Sequence, residues 1–446
     1  MIQAQLSEAA QWTEARLIGQ DTKFNGIAID SRLVTPGSLF VAIQGQHFDG
    51  HAYLENAKAR GACGALVSQV VSTSLPLLIV KDVIQSMGKL AAIWRRFYPL
   101  PVIGVLGSNG KTTVKEIIAT IMHCHFGDSV LATLGNQNNA LGTALNLLRL
   151  NSSHQVAIIE MGANAPGEIT HLGQIVKPDI VVITNAGLDH IAGFGGIAGA
   201  ASANGEIFAT MNSKGTAIIN ADDPCLSIWL SQLGKRPYLK FGFNSGADVQ
   251  GHWHPQIHGG ELTIASPWGQ IHCQLNLIGK HNALNALAAA STCLMMGVRP
   301  ETIAAGLAAV NPINGRLQSH LSKSGALIID DTYNANPSSL IAALETLSAM
   351  AGKKILVLGD MAELGDEAES WHTQAGYIAR SAGVDLLFCI GHMAHFAARS
   401  FGLGGMHFHQ PEALISALQP ELGDGINVLL KGSRCMGLEK IVAKLL

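Results

Sequence analysis

Apolar residues in this chain fall into short unbroken runs set between longer amphipathic stretches. That rhythm predicts strands buried on both faces alternating with helices. Residues 102–106, 156–159 and 180–184 read as three such strands, the first followed by a glycine-rich loop and a helix from about Thr112. Parallel strands need crossovers of helical length, so the expectation is a parallel, doubly covered sheet. Between 238 and 276 the runs give way to alternation with turn residues, which predicts a small antiparallel insert. A helix over 282–296 follows and stops at Gly297, a residue suited to a helix C-terminus. A second series of strands (327–329, 355–358, 386–390, 428–430), with a helix at 338–350, predicts a Rossmann-like unit. It lacks Gly-x-Gly-x-x-Gly, so no dinucleotide is inferred. Upstream, apolar runs at 39–43, 65–68 and 77–80 mix with a helical stretch at 53–60, and Tyr98-Pro99-Leu100-Pro101 breaks the pattern. The chain thus reads as α/β throughout, in three blocks: a mixed α/β block over 1–100, a parallel-sheet block with its insert over 101–315, and a Rossmann-like block over 316–446.

The length of 446 residues fits about three domains of ordinary size. Hydrophobic residues make up 48% of the chain and mean hydropathy is +0.26, yet no uninterrupted apolar run reaches the roughly 18 residues of a membrane span. The first ten residues have neither a basic start nor an apolar core, unlike a secretory leader. Seven scattered cysteines without a Cys-x-x-Cys pair read as the reduced thiols of a cytoplasmic protein. Net charge is −3 with no basic block, which excludes a phosphate-backbone binder. A monomer is expected.

The sharpest chemistry lies in Gly107-Ser108-Asn109-Gly110-Lys111-Thr112-Thr113, between a strand and a helix. Successive backbone N–H groups and a helix N-terminus make an anion cradle, and lysine adds a point charge for the β- and γ-phosphates. Thr112 or Thr113 offers a hydroxyl to Mg²⁺. The spacing departs from the general phosphate loop, with Val105 where that form has its first glycine. Glu160 ends the second strand and Asp189-His190 follows the third, so all three residues belong at the same sheet edge as the loop. Glu160 suits Mg²⁺; His190 is either a ligand near phosphate or a hydrogen-bonded loop histidine. His252, His254, His258, His272 and Cys273 fall in the insert, and His123-Cys124-His125 near a helix end; both groups read as solvated residues rather than zinc ligands.

The loop, Glu160, Asp189-His190, Gly279-Lys280-His281-Asn282, Arg316 and Asp330-Asp331 resemble the Mur ligases in order and spacing, over nearly the whole chain. These are ATP-dependent amino-acid-adding enzymes of peptidoglycan precursor synthesis. Finer signatures are Asp30-Ser31-Arg32, Asp49-Gly50-His51, Gly135-Asn136-Gln137-Asn138-Asn139, Thr332-Tyr333-Asn334-Ala335-Asn336-Pro337 and Lys431-Gly432-Ser433-Arg434. They resemble the branch that joins D-alanyl-D-alanine to UDP-N-acetylmuramoyl-tripeptide. An Asp-Asn-Pro-Arg motif, usual in the ligase that adds the third peptide residue, is missing.

The resemblance implies ATP and Mg²⁺ as cofactors, with Lys111, Glu160 and His190 catalytic and Thr112, Glu160 and His190 holding the metal. It places Asn282 and Asn285 near adenine and has Arg316 and Asp331 complete the ATP site, with Tyr333, Asn334 and Asn336 close by. Ser31, Arg32, Asp49, Gly50 and His51 would take the UDP-sugar, and Asn136, Asn138 and Asn139 the muramyl peptide. One departure stands out. Relatives carry a lysine, modified to a carbamate that helps hold a second Mg²⁺, where this chain has Asn204. The second Mg²⁺ is then expected to rest mainly on His190, the ATP phosphates and water and to bind more weakly, with the Asn204 amide oxygen able to reach it and Glu206 as a substitute ligand that helix geometry disfavours. Two rival readings remain: a related ligase with another amine, such as a folylpolyglutamate synthase, and a phosphate-loop ATPase that drives a conformational switch.

Overall fold

The structure, a computed structural model, describes residues 1–45, 48–189 and 191–446, with Ile191 and Ala192 in their backbone only. Its central feature is a nine-stranded sheet. In spatial order the strands are Gly269–Leu275, Gly259–Ser266, Val249–Gln256, Tyr238–Gly242, Thr216–Asn220, Ile180–Ile183, Val102–Leu106, Val156–Glu160 and Val130–Ala132. Strand Val102–Leu106 lies between Val156–Glu160 and Ile180–Ile183, where the chain reverses its direction of travel across the sheet. A crevice opens at such a reversal, outside the carboxyl ends of the strands, and ligands bind there in open α/β sheets.

Alternation along these strands explains their continuous apolarity. Ile103, Val105, Ile158 and Val182 face one layer, with helices Lys111–Phe126, Lys280–Met295 and Pro300–Ala308. Leu106, Ile159, Val181 and Ile219 face the other. Both faces are covered, so every position must be apolar.

The second layer has an unexpected member. Helix Val83–Arg96 belongs to the first block by sequence, yet it packs on helices Ala140–Leu147 and Glu168–Val176 of the central sheet. It starts at Asp82, whose side chain accepts from the Gln85 N–H, and it buries Met87, Leu90, Ala91 and Trp94. Trp94 Nε1 donates to the Leu150 carbonyl at 3.0 Å, and the Ile2 N–H donates to the Leu148 carbonyl at 2.8 Å. The rest of the first block is a five-stranded, mostly parallel sheet: Arg16–Ile18, Leu77–Ile79, Gly64–Val67, Leu39–Val41 and Ile27–Ala28.

The C-terminal sheet runs Gln318–Leu321, Leu327–Asp331, Ile426–Lys431, Lys353–Gly359, Leu386–Ile390 and Gly405–Phe408, parallel except for the first strand, and it has an apolar layer on each face. The antiparallel insert differs from its expectation. Tyr238–Gly242 is a parallel strand of the main sheet, and Phe241 and Gly242 pair with Val249 and Gln250. The antiparallel strands begin at Val249 and extend the edge of the central sheet. Among the described residues no helix is long and apolar enough to cross a membrane.

Candidate active site

The loop after strand Val102–Leu106 turns on two glycines. Gly107 has φ +127° and Gly110 φ +81°, and a Cβ on them would collide with Thr184 and Asn285 respectively. The loop is clamped from the next strand. Thr184 Oγ1 donates to the Asn109 carbonyl at 2.6 Å, and Asn185 Oδ1 accepts from the Asn109 N–H at 2.9 Å. Helix Lys111–Phe126, 16 residues long, points its N-terminus into the cleft. Lys111 Nζ lies on the loop carbonyls of Gly107 (2.5 Å) and Ser108 (2.9 Å). The ammonium is thus held at the mouth of an anion cradle.

Glu160 is 1% exposed. Its Oε1 accepts from Thr112 Oγ1 at 3.2 Å and from Asn138 Nδ2 at 2.8 Å. Of the two loop threonines, Thr112 is the one whose hydroxyl meets Glu160. The Glu160 N–H donates to Thr133 Oγ1, and the Thr133 carbonyl accepts from the fully buried Lys115 Nζ at 3.0 Å. Lys115 and Thr133 thereby fix the strand end that aims the carboxylate. Glu160 Oε2 and Asp189 Oδ1 are closed off from solvent and have no hydrogen-bond partner among the described residues. Two such carboxylate oxygens on one cleft fit a hard cation, which prefers oxygen ligands and offsets the cost of burying charge. His190 lies outside the described residues.

The C-terminal block meets the central one at the cleft through side-chain polar contacts. Arg316 donates to Thr112 Oγ1 at 3.1 Å, Asn336 Nδ2 to Asn109 Oδ1 at 2.9 Å, and the Leu188 N–H to Ser338 Oγ at 2.9 Å. Asn336 also caps helix Pro337–Ser348, so its side chain serves two elements. Asp331 pairs with buried Lys431 at 2.6 Å. Burial pushes the Asp331 carboxyl up, while Lys431 and then Arg316 pull against it. Burial, with Lys431 nearby, lowers His281 to about 4 and so keeps its imidazole neutral. The cleft encloses about 940 Å³.

The cleft brings together Ser108, Asn109, Gly110, Lys111, Thr112, Thr113, Glu160, Asn136, Asn138, Asn282, Asn285, Arg316, Asp331, Tyr333, Asn334 and Asn336. Gly107 sits just beneath it. The residues expected to take the UDP-sugar lie elsewhere, on the five-stranded sheet. Arg32 is exposed and grips Asp30 at 2.7 Å, and its hydrogen bonds hold the Asp30 carboxyl down at about 2. His51 is buried, with Nδ1 on Asp49 at 2.6 Å and Nε2 accepting from the Ser68 N–H at 3.0 Å. Both ring nitrogens of His51 are therefore engaged within the sheet's own loops. Asn139 caps helix Ala140–Leu147, accepting from the Gly142 N–H, and does not line the cleft. Among the described residues no group of three or more His, Cys, Asp and Glu is arranged for a metal, the insert histidines included.

Asn204 does not reach for a metal. Its Oδ1 accepts from the Gly107 N–H at 3.2 Å and its Nδ2 donates to the Ala200 carbonyl at 2.9 Å, so the amide braces the phosphate loop from beneath. Glu206 is likewise committed, accepting from Gly167 N at 2.8 Å and Thr170 N at 3.1 Å at the start of helix Glu168–Val176. Neither side chain is left to hold a cation. An amide in these bonds also has no amine to add CO₂. Turnover in CO₂-stripped buffer is therefore expected to match turnover with bicarbonate restored. A rise on adding bicarbonate would show that some lysine is carbamoylated after all.

Several residues of the site carried no local signal. Lys115, Thr133, Asn185 and Ser338 act through partners far along the chain. A charged residue ending the apolar run that leads to Lys431 was the one hint of a buried pair.

Sequence and structure comparisons agree with this geometry. Family models for the Mur ligase family catalytic domain, the Mur ligase middle domain and the Mur ligase glutamate ligase domain match residues 23–93, 105–293 and 315–434. The UDP-N-acetylmuramoyl-tripeptide–D-alanyl-D-alanine ligase of Escherichia coli (strain K12) is 39% identical over 450 residues, covering 100% of this chain and 99% of the relative. The chain belongs to the Mur ligase family. Among solved Mur ligases, a crystal structure of MurF from Acinetobacter baumannii superposes with TM-score 0.93 at 32% identity, covering 100% and 99% of the two chains. The MurF ligase of Thermotoga maritima in complex with ADP superposes with TM-score 0.85 at 27% identity, covering 94% and 97%.

Proposed function

We propose that this Mur ligase joins D-alanyl-D-alanine to UDP-N-acetylmuramoyl-tripeptide, with ATP converted to ADP and phosphate, in the cytoplasm. The observation that carries the reading is the single cleft in which the phosphate loop and Glu160 face Arg316, Asp331 and Asn336 of the C-terminal block. Full-length identity to a relative of that name supports the choice of amine over a folylpolyglutamate-type substrate. In this reading residues 1–100 carry the UDP-sugar, 101–315 bind ATP, and 316–446 close the cleft over it.

The tripeptide's terminal carboxylate attacks the γ-phosphorus. The bond from that phosphorus to the β-phosphate oxygen breaks, and ADP keeps the electron pair. Lys111 leaves the loop carbonyls for the phosphates, whose charge spreads over the transferred group. The N–H groups at the start of helix Lys111–Phe126, on a loop held in shape by Thr184, Asn185 and Asn204, donate to the same oxygens. Thr112, Glu160 and His190 would hold Mg²⁺, which neutralises phosphate charge when bound. Asn138 bridges the muramyl-peptide loop to Glu160 and so ties acceptor position to the phosphate site. The dipeptide amine then attacks the acyl carbon, phosphate departs, and the former ammonium yields one proton to phosphate and one to water. The contacts at Asn109, Leu188 and Thr112 keep water from the acyl phosphate.

The test is mass detection of the UDP-muramoyl-pentapeptide from ATP, UDP-N-acetylmuramoyl-tripeptide and D-alanyl-D-alanine, with each omitted in turn. Product is expected only from the complete mixture. ATP hydrolysis at the same rate without acceptor or amine would point instead to an ATPase switch.

A further inference from the structure

Four lysine and arginine side chains are found among the described residues lining the cleft, and three are already engaged, Arg316 with its solvent-shielded Nε unpaired. Lys111 lies on the loop carbonyls where a nucleotide's phosphates would draw it. Arg316 donates to Thr112 and stacks 4.2 Å from the centre of the Tyr333 ring. Lys431 is buried against Asp331 Oδ2 and the Asn334 carbonyl. Arg434 differs. Its side chain is 64% exposed, and its ion-pair partner Glu439 stands at 3.9 Å, beyond hydrogen-bond reach. Its guanidinium lies 5.7 Å from the centre of the same Tyr333 ring, so one aromatic side chain holds both arginines in a cluster. Arg434 opens the short helical turn just after strand Ile426–Lys431, a rigid support.

The proposed reaction brings two carboxylates to this cleft. One is phosphorylated and then becomes an amide. The other, at the C-terminus of the dipeptide, keeps its charge throughout and needs a donor that is not already engaged. A guanidinium fork matches a carboxylate in two parallel bonds. Two residues of extended chain span about 7 Å, so the anchor must stand a short step from the phosphate site rather than within it. Arg434 meets that condition, one ring away from the arginine that touches Thr112.

We propose that Arg434 binds the C-terminal carboxylate of the incoming dipeptide and so makes the enzyme require that carboxylate to be free. This rests on the functional reading above. It is tested by comparing D-alanyl-D-alanine with D-alanyl-D-alaninamide in the native enzyme, Arg434→Ala and Arg434→Lys. Amidation is expected to lower native kcat/KM by about 10–100-fold, the range of a charge-assisted hydrogen bond. Arg434→Ala should lose a similar factor with D-alanyl-D-alanine, mainly through its KM, and should no longer distinguish the amide from the acid. Arg434→Lys should recover part of the preference, since lysine keeps the charge without the fork. The KM values for ATP and for the UDP-tripeptide should not move. If Arg434→Ala makes product yet keeps the full preference for the free carboxylate, or loses ATP affinity instead, the assignment of Arg434 is overturned alone. A native enzyme that makes no product from D-alanyl-D-alanine overturns the functional reading and this one with it.

Discussion

Lys111→Ala is expected to lower kcat by on the order of 10²–10³ or more while the fold persists, the usual loss when one preorganised charge contact to a transition state is removed. The structure explains why the fold should survive. Lys111 is half-buried at the first position of its helix, and among the described residues its ammonium bonds only the carbonyls of Gly107 and Ser108. The clamp that shapes the loop is made by other residues, Thr184, Asn185 and Asn204. Circular dichroism and thermal melting of the variant should match the native protein while ADP formation collapses. A folded Lys111→Ala enzyme with near-native turnover would remove the phosphate cradle from the mechanism.

Glu160→Gln should separate activity from stability in opposite senses. The carboxylate is buried, one oxygen bonds Thr112 and Asn138, and the other has no described partner. Without a cation such a charge is costly, so the neutral amide should leave the unliganded melting temperature unchanged or higher. With substrates the loss of charge should reduce turnover by on the order of 10²-fold and raise the Mg²⁺ concentration needed for half-maximal rate. With its amide oxygen in the Oε1 position, glutamine would still accept from Thr112 and Asn138, and its NH₂ would replace the unpartnered Oε2, so the acceptor loop should stay in place. Near-native turnover at ordinary Mg²⁺, or a large fall in stability without ligands, would contradict the role given to Glu160.

The parts of this site that were legible in the sequence are those that local geometry determines. A strand, two glycines, a lysine and a helix lie within a dozen residues, and their arrangement follows from the backbone. The doubly covered sheet was legible because Val102–Leu106 and Ile180–Ile183 are apolar at every position. What stayed hidden were pairings across distance. Asn336 and Asn109 are 227 residues apart, and Arg316 and Thr112 are 204 apart. A sequence pattern carries no record of which asparagine will meet which. The antiparallel part begins later than the expected 238, because alternation marks an antiparallel pair but does not show that Tyr238–Gly242 pairs in parallel with Thr216–Asn220. Asn204 stands at the position the resemblance gives to a metal-holding lysine, but its amide turns to the Gly107 N–H, a direction set by a helix packing that no motif encodes.

The tryptophan-bearing helix Val83–Arg96 carries a consequence for how the chain comes apart. Proline residues mark a seam near residue 100, yet Met87, Leu90 and Trp94 are part of the layer under the central sheet. Cutting at that seam would strip one piece of its cover and leave the other with a bare apolar stripe. Cooperative unfolding follows shared burial rather than sequence punctuation. The first two blocks therefore form one melting unit. The C-terminal sheet has its own apolar layer on each face and shares only Ile278 and Leu188 with its neighbours among the described residues, so it is expected to loosen before the first two blocks melt.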